Sequence, residues 1–316
     1  MIDRPDLAKL YGAHEVTTFL GIKRCSDLET LTAPIALIGA QSATPYASVG
    51  AYCRNAPTVL RQALAPFAAN IHHYDFDSGG LLFPEPHLEP VDCGDIPFDE
   101  RDGAVNRDRI RAAVATIVRK GAVPIVIGGD DSVPIPMIEG LPSARKYTVL
   151  QIDAHIDWRN EVDGETQGLS STMRRASEMA HVERIVQVGA RGIGSAREAD
   201  YRDARASGVT FVTAYEVHRN GVEAALSSIP EGSEIVVCID VDAMDPSVVP
   251  GAIGRAPGGF SYYQMVDLVR GAAARGRIAA VDVVEFMPER DIDGIGALNV
   301  ARLIASVMGI VARQRG

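Results

Sequence analysis

The chain has 316 residues, of which 41 are Asp or Glu and 31 are Lys or Arg, so its formal net charge is −10. The hydrophobic fraction of 47% and the charged fraction of 23% are typical of a globular protein and exclude a disordered or fibrous chain. The acidic balance argues against a nucleic acid or an anionic membrane as partner, because both attract cationic surfaces.

Neither a membrane-spanning segment nor a signal peptide is predicted. The longest apolar runs, such as Ala33–Ala40 and Ile235–Ile239, are far shorter than the roughly 20 residues that cross a bilayer. The N-terminal sequence MIDRPDLAKLYG carries charges where a signal peptide has its apolar region. The four cysteines form no CxxC pair, which indicates reduced thiols rather than a disulfide framework. We therefore expect a cytoplasmic protein.

Short runs rich in Val and Ile predict eight strands buried on both faces, because they mostly lack in–out alternation. In chain order these strands are Pro34–Gly39, Leu88–Asp92, Val123–Ile127, Tyr147–Ile152, Arg184–Val188, Thr210–Val212, Glu234–Ile239 and Ile278–Val284. The helix-length segments are Asn106–Lys120, Ser195–Ala206, Ala214–Ser227, Ser261–Arg275 and Gly294–Arg313. This alternation predicts an α/β fold with a parallel sheet between helices. No linker-like segment divides the chain, so residues 1–316 are interpreted as one domain.

Acidic residues follow four of the predicted strands. The segments concerned are Gly128–Ser132 (GGDDS), Asp153–Asp157 (DAHID), Asp240–Pro246 (DVDAMDP) and Glu285. Ligands of such folds bind outside the carboxyl ends of the strands, so these residues are expected to share one site. Crowded carboxylates repel one another and raise one another's pKa. Divalent metal ions are the obvious groups to neutralise them.

The spacing within these segments supports a metal site. Asp153, His155 and Asp157 stand two residues apart, and so do Asp240 and Asp242, which places each set on one side of an extended segment. So many carboxylates fit two ions with bridging ligands better than one ion. A two-metal site activates water and polarises a trigonal carbon for attack.

Each motif alone has a simpler interpretation. A DxD pair after a strand is usually a turn or a cap, and GGDDS could open a helix with Asp131 or Ser132 as its N-cap. His155 alone could be a hydrogen-bonded core residue, and Glu285 a buried ion-pair partner. Their combination at four strand ends favours the metal site.

These motifs resemble those of the ureohydrolase family, also called the arginase/agmatinase family. The resemblance also includes VDCGDI at Val91–Ile96, PGG at Pro257–Gly259 and VVEFMP at Val283–Pro288, and it runs from about Pro34 to the last helix. It implies a three-layer α/β/α sandwich with a mostly parallel, eight-stranded, arginase-like sheet. It further implies two Mn²⁺ ions, or Ni²⁺ in some members, and hydrolysis of a small guanidino substrate to urea and an amine by a hydroxide held between the ions.

The resemblance also implies roles for individual residues. The metal ligands would be Asp131, Asp153, His155, Asp157, Asp240 and Asp242. Of these, Asp153 and Asp240 would bridge both ions, and His155 with Asp242 would bind the second ion. Glu285 would hold the guanidinium by paired charged hydrogen bonds, so that Glu285 and Asp157 are the catalytic residues expected here.

The chain departs from the family pattern at the first metal site. The family motif is usually GGDHS, in which the His binds the first ion through Nδ1, whereas this chain has Asp131 there. An Asp oxygen has a similar reach, so we expect an agmatinase-like, bacterial-type member with GGDD in place of GGDH. The more oxygen-rich site favours Mn²⁺, although the Irving–Williams order favours Ni²⁺. The alternative is a weak or empty first site.

A second departure affects the proton donor. Many relatives have His-Gly ten residues after the last Asp of DAHxD, but this chain has Gln167-Gly168, and Gln is no general acid. Gln167 is still predicted to contact the substrate, while water or another group supplies the proton. His218 is a further candidate, although an ordinary surface His is the better interpretation. A weak or inactive homologue that acts as a partner subunit or ligand-binding protein therefore remains an alternative.

The substrate tail is predicted to contact Arg159. This residue follows Asp157 by two positions, where arginases contact the amino-acid end of their substrate. An Arg suits a carboxylate tail, which favours a guanidino acid such as guanidinobutyrate over agmatine; the alternative is a solvent-facing cation. A mononuclear deacetylase on a related fold ranks last. By resemblance alone we expect a homo-trimer or homo-hexamer, with a homologous subunit as a further possibility.

Overall fold

A nine-stranded sheet runs through the centre of the protein, and every neighbouring pair in it is parallel. The structure, a computed structural model, describes residues 16–316; the N-terminal segment on which the signal-peptide interpretation rests lies outside them. The strands are β1 Lys23–Arg24, β2 Ile35–Gly39, β3 Val91–Asp95, β4 Val123–Ile127, β5 Tyr147–Ile152, β6 Val182–Val188, β7 Thr210–Val212, β8 Ser233–Asp240 and β9 Gly276–Val284. Their order across the sheet is β1-β3-β2-β4-β9-β8-β5-β6-β7. A separate antiparallel ladder pairs Tyr74–Asp75 with Gly80–Leu81.

The eight predicted strands are all present, but the predicted count of eight is wrong. Each predicted run overlaps one of β2–β9, and the largest shift places β3 at Val91–Asp95 instead of Leu88–Asp92. The ninth strand, β1, pairs Lys23 with Val91 at the edge of the sheet. Both residues of β1 are charged and exposed, so the sequence has no apolar run that would predict this strand.

Nine helices surround the sheet in the described part of the chain. They are α1 Ala56–Leu64, α2 Gly103–Arg119, α3 Pro134–Glu139, α4 Thr172–Glu178, α5 Glu198–Ala206, α6 Ala214–Asn220, α7 Glu223–Leu226, α8 Tyr262–Arg275 and α9 Ile295–Arg313. Capping boxes at Thr213 and Ser261 begin α6 and α8. The predicted helix Ala214–Ser227 is divided because Gly221 has a positive φ of 79°, which a helix does not accommodate. The short helices α1, α3 and α4 were not predicted.

The strands bury both of their faces, as their apolar composition predicts. Along β4, Val123, Ile125 and Ile127 contact a core that includes residues of α1, α8 and α9. Val126 faces the opposite side, where α2, α3 and α4 pack. Since successive residues of a strand point to opposite faces, the side chains of one strand pack into two hydrophobic cores, one on each side of the sheet. The result is the predicted three-layer α/β/α arrangement.

Helix α9 is long and apolar enough to cross a membrane, by length and composition alone. It is the one such helix found among residues 16–316, with a mean hydropathy of 1.8, and 72% of its apolar window is buried. It packs against α1 and α8. The burial explains its composition as that of a core helix.

The order of the strands positions the acidic segments. Strands β4, β9, β8 and β5 are consecutive neighbours, and these are the four strands after which the acidic segments come. Because all four run in parallel, their carboxyl ends meet at one edge of the sheet. Four loops that are far apart in sequence therefore begin side by side.

Candidate metal centre

Two groups of possible metal ligands lie at the carboxyl edge of the central strands. In the first group, Asp153, His155 and Asp242 have ligand atoms within 4.8 Å of one another. The Nδ1 atom of His155 is 3.1 Å from Oδ2 of Asp242 and 3.5 Å from Oδ1 of Asp153. In the second group, Asp131, Asp153 and Asp240 meet the same limit. Asp153 belongs to both groups, which is the geometry of a ligand shared by two ions.

The backbone of the same loops orients these carboxylates. The N–H of His155 donates to Oδ1 of Asp153 at 2.6 Å, and the N–H of Asp242 donates to Oδ1 of Asp240 at 2.8 Å. The N–H of Ala154 reaches Oδ1 of Asp242 at 3.2 Å, which ties the β5 loop to the β8 loop. These bonds fix the orientation of all three carboxylates relative to the two loops.

Asp131 presents a buried carboxylate oxygen to the centre of the cluster. Its Oδ2 atom is buried and has no hydrogen-bond partner among the described residues. Burial, and then the charges of Asp157 and Asp153, raise the pKa of Asp131 well above its ordinary value. A buried carboxylate oxygen without a partner is costly unless a cation contacts it. Carboxylate oxygens with one imidazole nitrogen are a donor set that suits Mn²⁺ or Ni²⁺.

The electrostatics of the site support the same conclusion. Burial, reinforced by neighbouring carboxylates, raises the pKa of five carboxyl groups: Asp131, Asp153, Asp157, Asp240 and Glu285. Burial alone lowers the pKa of His155, but hydrogen bonds with Asp153 and Asp242 outweigh it and raise that pKa to about 12. The residues thus favour protons or other positive charge among them.

Gln151 connects Asp157 to this cluster. Its side-chain Nε2 donates to Oδ2 of Asp153 and to Oδ2 of Asp157, both at 2.7 Å. Asp157 belongs to neither 4.8 Å group, and its φ of 43° is left-handed, a strained conformation that is typical of functional sites. The sequence analysis did not identify Gln151 as a residue of the site. A polar residue within the otherwise apolar run of β5 could have indicated a buried hydrogen-bonding role.

Glu285 lies beside the proposed ligands and is 4% exposed. Its Oε1 atom accepts the N–H of Asp131 at 2.8 Å, and its own N–H donates to the carbonyl oxygen of Gly129 at 2.8 Å. Its φ of 67° is also left-handed. The hydroxyl of Tyr52 is 2.8 Å from each of its two carboxylate oxygens. Nothing in the sequence around Tyr52 indicated this contact, because Tyr52 and Glu285 are 233 residues apart.

A cavity of about 210 Å³ leads to these residues. Its lining includes Arg159, whose Nε is 3.5 Å from Oδ2 of Asp200. The guanidinium of Arg159 makes no hydrogen bond with another described residue. Asp200 comes from α5 and was not predicted. The cavity lining thus includes an ion pair in addition to the cluster of carboxylates.

Two further predicted residues lie away from the cavity. Gln167 is absent from its lining, and the backbone N–H of Gln167 donates to the side chain of Glu165 at 2.7 Å. His218 is also absent from the lining, and its Nε2 atom is 3.1 Å from the carbonyl oxygens of Gly258 and Gly259. The expected position of Gln167 near the substrate remains a prediction that this geometry does not support.

Asp245, the last Asp of DVDAMDP, has a structural role. Oδ2 of Asp245 accepts the N–H groups of Gly258 and Gly259 at 2.9 and 3.3 Å. Hydrogen bonds from Ser247, together with these two from the glycines, outweigh burial and lower the pKa of Asp245 to about 2. A Cβ on Gly259 would come within 2.5 Å of the Asp245 backbone nitrogen. The PGG motif is therefore explained by the close approach of its loop to the loop after β8.

Comparisons with known proteins agree with this architecture. The sequence profile of the arginase family matches residues 33–309. The chain is 28% identical to guanidinopropionase of Pseudomonas aeruginosa, over 96% of this chain and 95% of the relative. It is 26% identical to guanidinobutyrase of the same organism, over 96% and 97%. The solved structure of proclavaminate amidino hydrolase from Streptomyces clavuligerus superposes with a TM-score of 0.83 at 25% identity, covering 96% of this chain and 99% of that one.

Proposed function

Because the chain belongs to the arginase family, as the motifs predicted, we propose that it is a metal-dependent amidinohydrolase that releases urea from a small guanidino compound. One observation carries the proposal: two groups of possible ligand atoms share Asp153, and members of both line the same cavity as Glu285. A site for two cations and a site for a guanidinium are then adjacent.

We assign the metal ligands as the motifs indicated. Asp153 and Asp240 would hold both cations, Asp131 and Asp157 would complete the first site, and His155 with Asp242 would complete the second. When bound, two divalent cations would neutralise most of the carboxylate charge and lower the pKa of a water in the cavity. Five of the six ligands are carboxylates, so the donor set favours Mn²⁺, with Ni²⁺ as the alternative.

The side chains of this protein perform the other steps. Glu285 binds the planar guanidinium and holds its carbon in front of the metal centre. Asp157, whose carboxyl is positioned by Gln151, accepts the proton of the attacking water and returns it to the leaving amine. Asp157 takes this role because Gln167 and His218 are absent from the lining of the cavity. Burial of the site excludes bulk water from competing for these hydrogen bonds.

For the substrate we propose a guanidino acid. The guanidinium of Arg159 lies in the cavity lining without a hydrogen bond to a described residue, so a carboxylate tail can bind it. The guanidinopropionase and guanidinobutyrase relatives, whose names denote guanidino acids, support this choice. Asp200 is the countercharge of Arg159 in the free protein.

A substrate panel tests the function and its specificity. Urea release is measured in the presence of Mn²⁺ or Ni²⁺ for guanidinobutyrate, guanidinopropionate, arginine, agmatine and guanidine. We expect the guanidino acids to be preferred, and Arg159→Met to remove that preference. Glu285→Gln keeps the shape but removes the charge, and it should lower kcat/KM by about 100-fold or more. No urea from any compound would refute the hydrolase and leave a ligand-binding or partner-subunit role; a preference for agmatine would refute only the role of Arg159.

The remaining expectations concern the molecule as a whole. We propose a single domain, a cytoplasmic location and a homo-trimer or homo-hexamer, with the homologous-subunit assembly as the alternative. Light scattering during gel filtration measures the oligomer directly. A mass of one chain, 33.7 kDa, would contradict the assembly without affecting the proposed site.

A further inference from the structure

Tyr52 occupies the edge of Glu285 that a guanidinium needs. Its hydroxyl lies 2.8 Å from Oε1 and 2.8 Å from Oε2 of Glu285. An oxygen at equal distance from both carboxylate oxygens sits between them. A guanidinium that pairs with a carboxylate by two parallel N–H···O bonds approaches along this same edge. Tyr52 and the substrate therefore compete for one position.

Glu285 is the fixed member of this pair. Its backbone N–H is bonded to Gly129, and its Oε1 accepts the N–H of Asp131. Both partners belong to the loop after β4 at the centre of the sheet. The first bond fixes the backbone of Glu285, and the carboxylate cannot turn without breaking the second, so the tyrosine is the group that has to move.

The backbone of the segment that carries Tyr52 bonds only to its own near neighbours. Between residues 46 and 56 the backbone hydrogen bonds join near neighbours, such as Gly50 to Tyr46 at 2.8 Å and Tyr52 to Gly50 at 3.1 Å. Residues 47–50 are exposed, and Gly50 has a φ of 65° with no atom near its missing Cβ. No described backbone bond ties residues 47–54 to another strand or helix. Side chains anchor both ends of the segment, because the hydroxyl of Tyr46 accepts the N–H of Ser170 and Cys53 is buried. The exposed residues between these anchors can shift at lower cost than the core, and Tyr52 can withdraw with them.

We propose that Tyr52 is a gate that occupies the guanidinium position of Glu285 in the free protein and withdraws when a guanidino ligand binds. This inference rests on the proposed function, because it takes Glu285 as the guanidinium partner. Tyr52 then sets the affinity for substrate: the observed affinity is reduced by the fraction of molecules in which the gate is closed. Ligands that cannot displace the phenol from the carboxylate are excluded.

The test compares Tyr52→Phe with Tyr46→Phe. Tyr46 lies in the same segment, but its hydroxyl accepts the N–H of Ser170 at 3.3 Å and does not contact Glu285. A hydrogen bond to a charged group has a strength that corresponds to about 10-fold or more in an equilibrium. We therefore expect Tyr52→Phe to lower KM for guanidinobutyrate by about 10-fold with kcat unchanged, while Tyr46→Phe leaves KM unchanged. A hydroxyl that merely positions Glu285 predicts the opposite sign, a higher KM or a lower kcat.

Calorimetric titration with guanidinium chloride at millimolar concentration gives a readout that does not depend on turnover. Tyr52→Phe should bind the guanidinium ion about 10-fold more tightly than wild type, and Glu285→Gln should not bind it. An unchanged or weaker binding by Tyr52→Phe, in a variant whose circular dichroism and melting temperature match those of wild type, overturns the gate. If wild type releases urea while Tyr52→Phe gains no affinity, the gate fails and the function stands. If no protein releases urea but Tyr52→Phe binds guanidinium more tightly, the function fails and the gate stands.

Discussion

Replacing Gln151 by Leu should weaken Mn²⁺ binding without unfolding the protein. Leu has nearly the same volume but removes the Nε2 group that is 2.7 Å from both Asp153 and Asp157. Gln187 keeps its 2.8 Å bond to the carbonyl oxygen of Ile156, so part of the local network survives. Each bond to a charged group is typically about 1.5–3 kcal/mol. Water that bonds the carboxylates in place of Gln151 recovers part of this free energy. Removing a residue that hydrogen-bonds a metal ligand usually lowers metal affinity by about 10–100-fold, or about 1.4–2.7 kcal/mol.

Calorimetric titration of metal-free protein with Mn²⁺ measures this effect. Gln314→Leu is the matched control, because Gln314 makes three hydrogen bonds of 2.7, 2.7 and 3.0 Å at the opposite end of β9. The control should lose stability in urea while its Mn²⁺ affinity stays within about 3-fold of wild type. An unchanged Mn²⁺ affinity in Gln151→Leu would show that Asp153 and Asp157 do not ligate metal in the arrangement proposed here.

Three further outcomes follow from the charged groups. Arg61→Met should lower the free energy of unfolding by about 3–5 kcal/mol, because Arg61 bonds buried Asp92 at 2.8 and 3.0 Å. Urea denaturation measures this loss. The control is Arg54→Met, which removes an exposed ion pair and should lower the free energy of unfolding by less than about 1 kcal/mol. Burial opposes the ionised form of Asp92, but Arg61 outweighs it and lowers the pKa of Asp92. The ionised Asp92 therefore contributes fully to the free energy of unfolding above its unfolded pKa of about 3.9, and this contribution is lost as the pH falls through the lower folded pKa. Wild type should lose stability more steeply than Arg61→Met over this pH range, and a shallower loss in wild type would contradict the prediction. Asp131→His should raise the affinity for Ni²⁺ relative to Mn²⁺, and paired titrations that give an unchanged ratio would show that residue 131 is not a ligand.

The sequence predicted the sheet well because buried strands leave a strong local pattern. The runs that became β4, β5 and β7 have the bounds that were predicted, since each is a short run rich in apolar residues that is bounded by loop residues. Strand β1 has no such pattern, because two exposed charged residues at an edge are stabilised only by their neighbour. The helix predicted at Ala214–Ser227 failed at Gly221, whose left-handed backbone ends α6.

The candidate site was predictable as far as its residues are adjacent in sequence. Asp153, His155 and Asp157 form one motif, and the strand order then brings them to Asp131 and Asp242. Contacts that depend on distant segments were not predictable in this way. Tyr52 reaches Glu285 from the loop before α1, and Asp200 reaches Arg159 from α5. Neither contact is indicated by residue spacing or by local composition, because both contacts form only when the complete fold packs.

Metal content per chain, measured by elemental analysis after dialysis, tests the two-ion centre most directly. Wild type should retain two ions per chain when fully active, and Asp153→Asn should retain fewer than one, because Asp153 is shared by both ligand groups. Clearly fewer than two ions per chain in fully active wild type would contradict the centre proposed for this member of the arginase family.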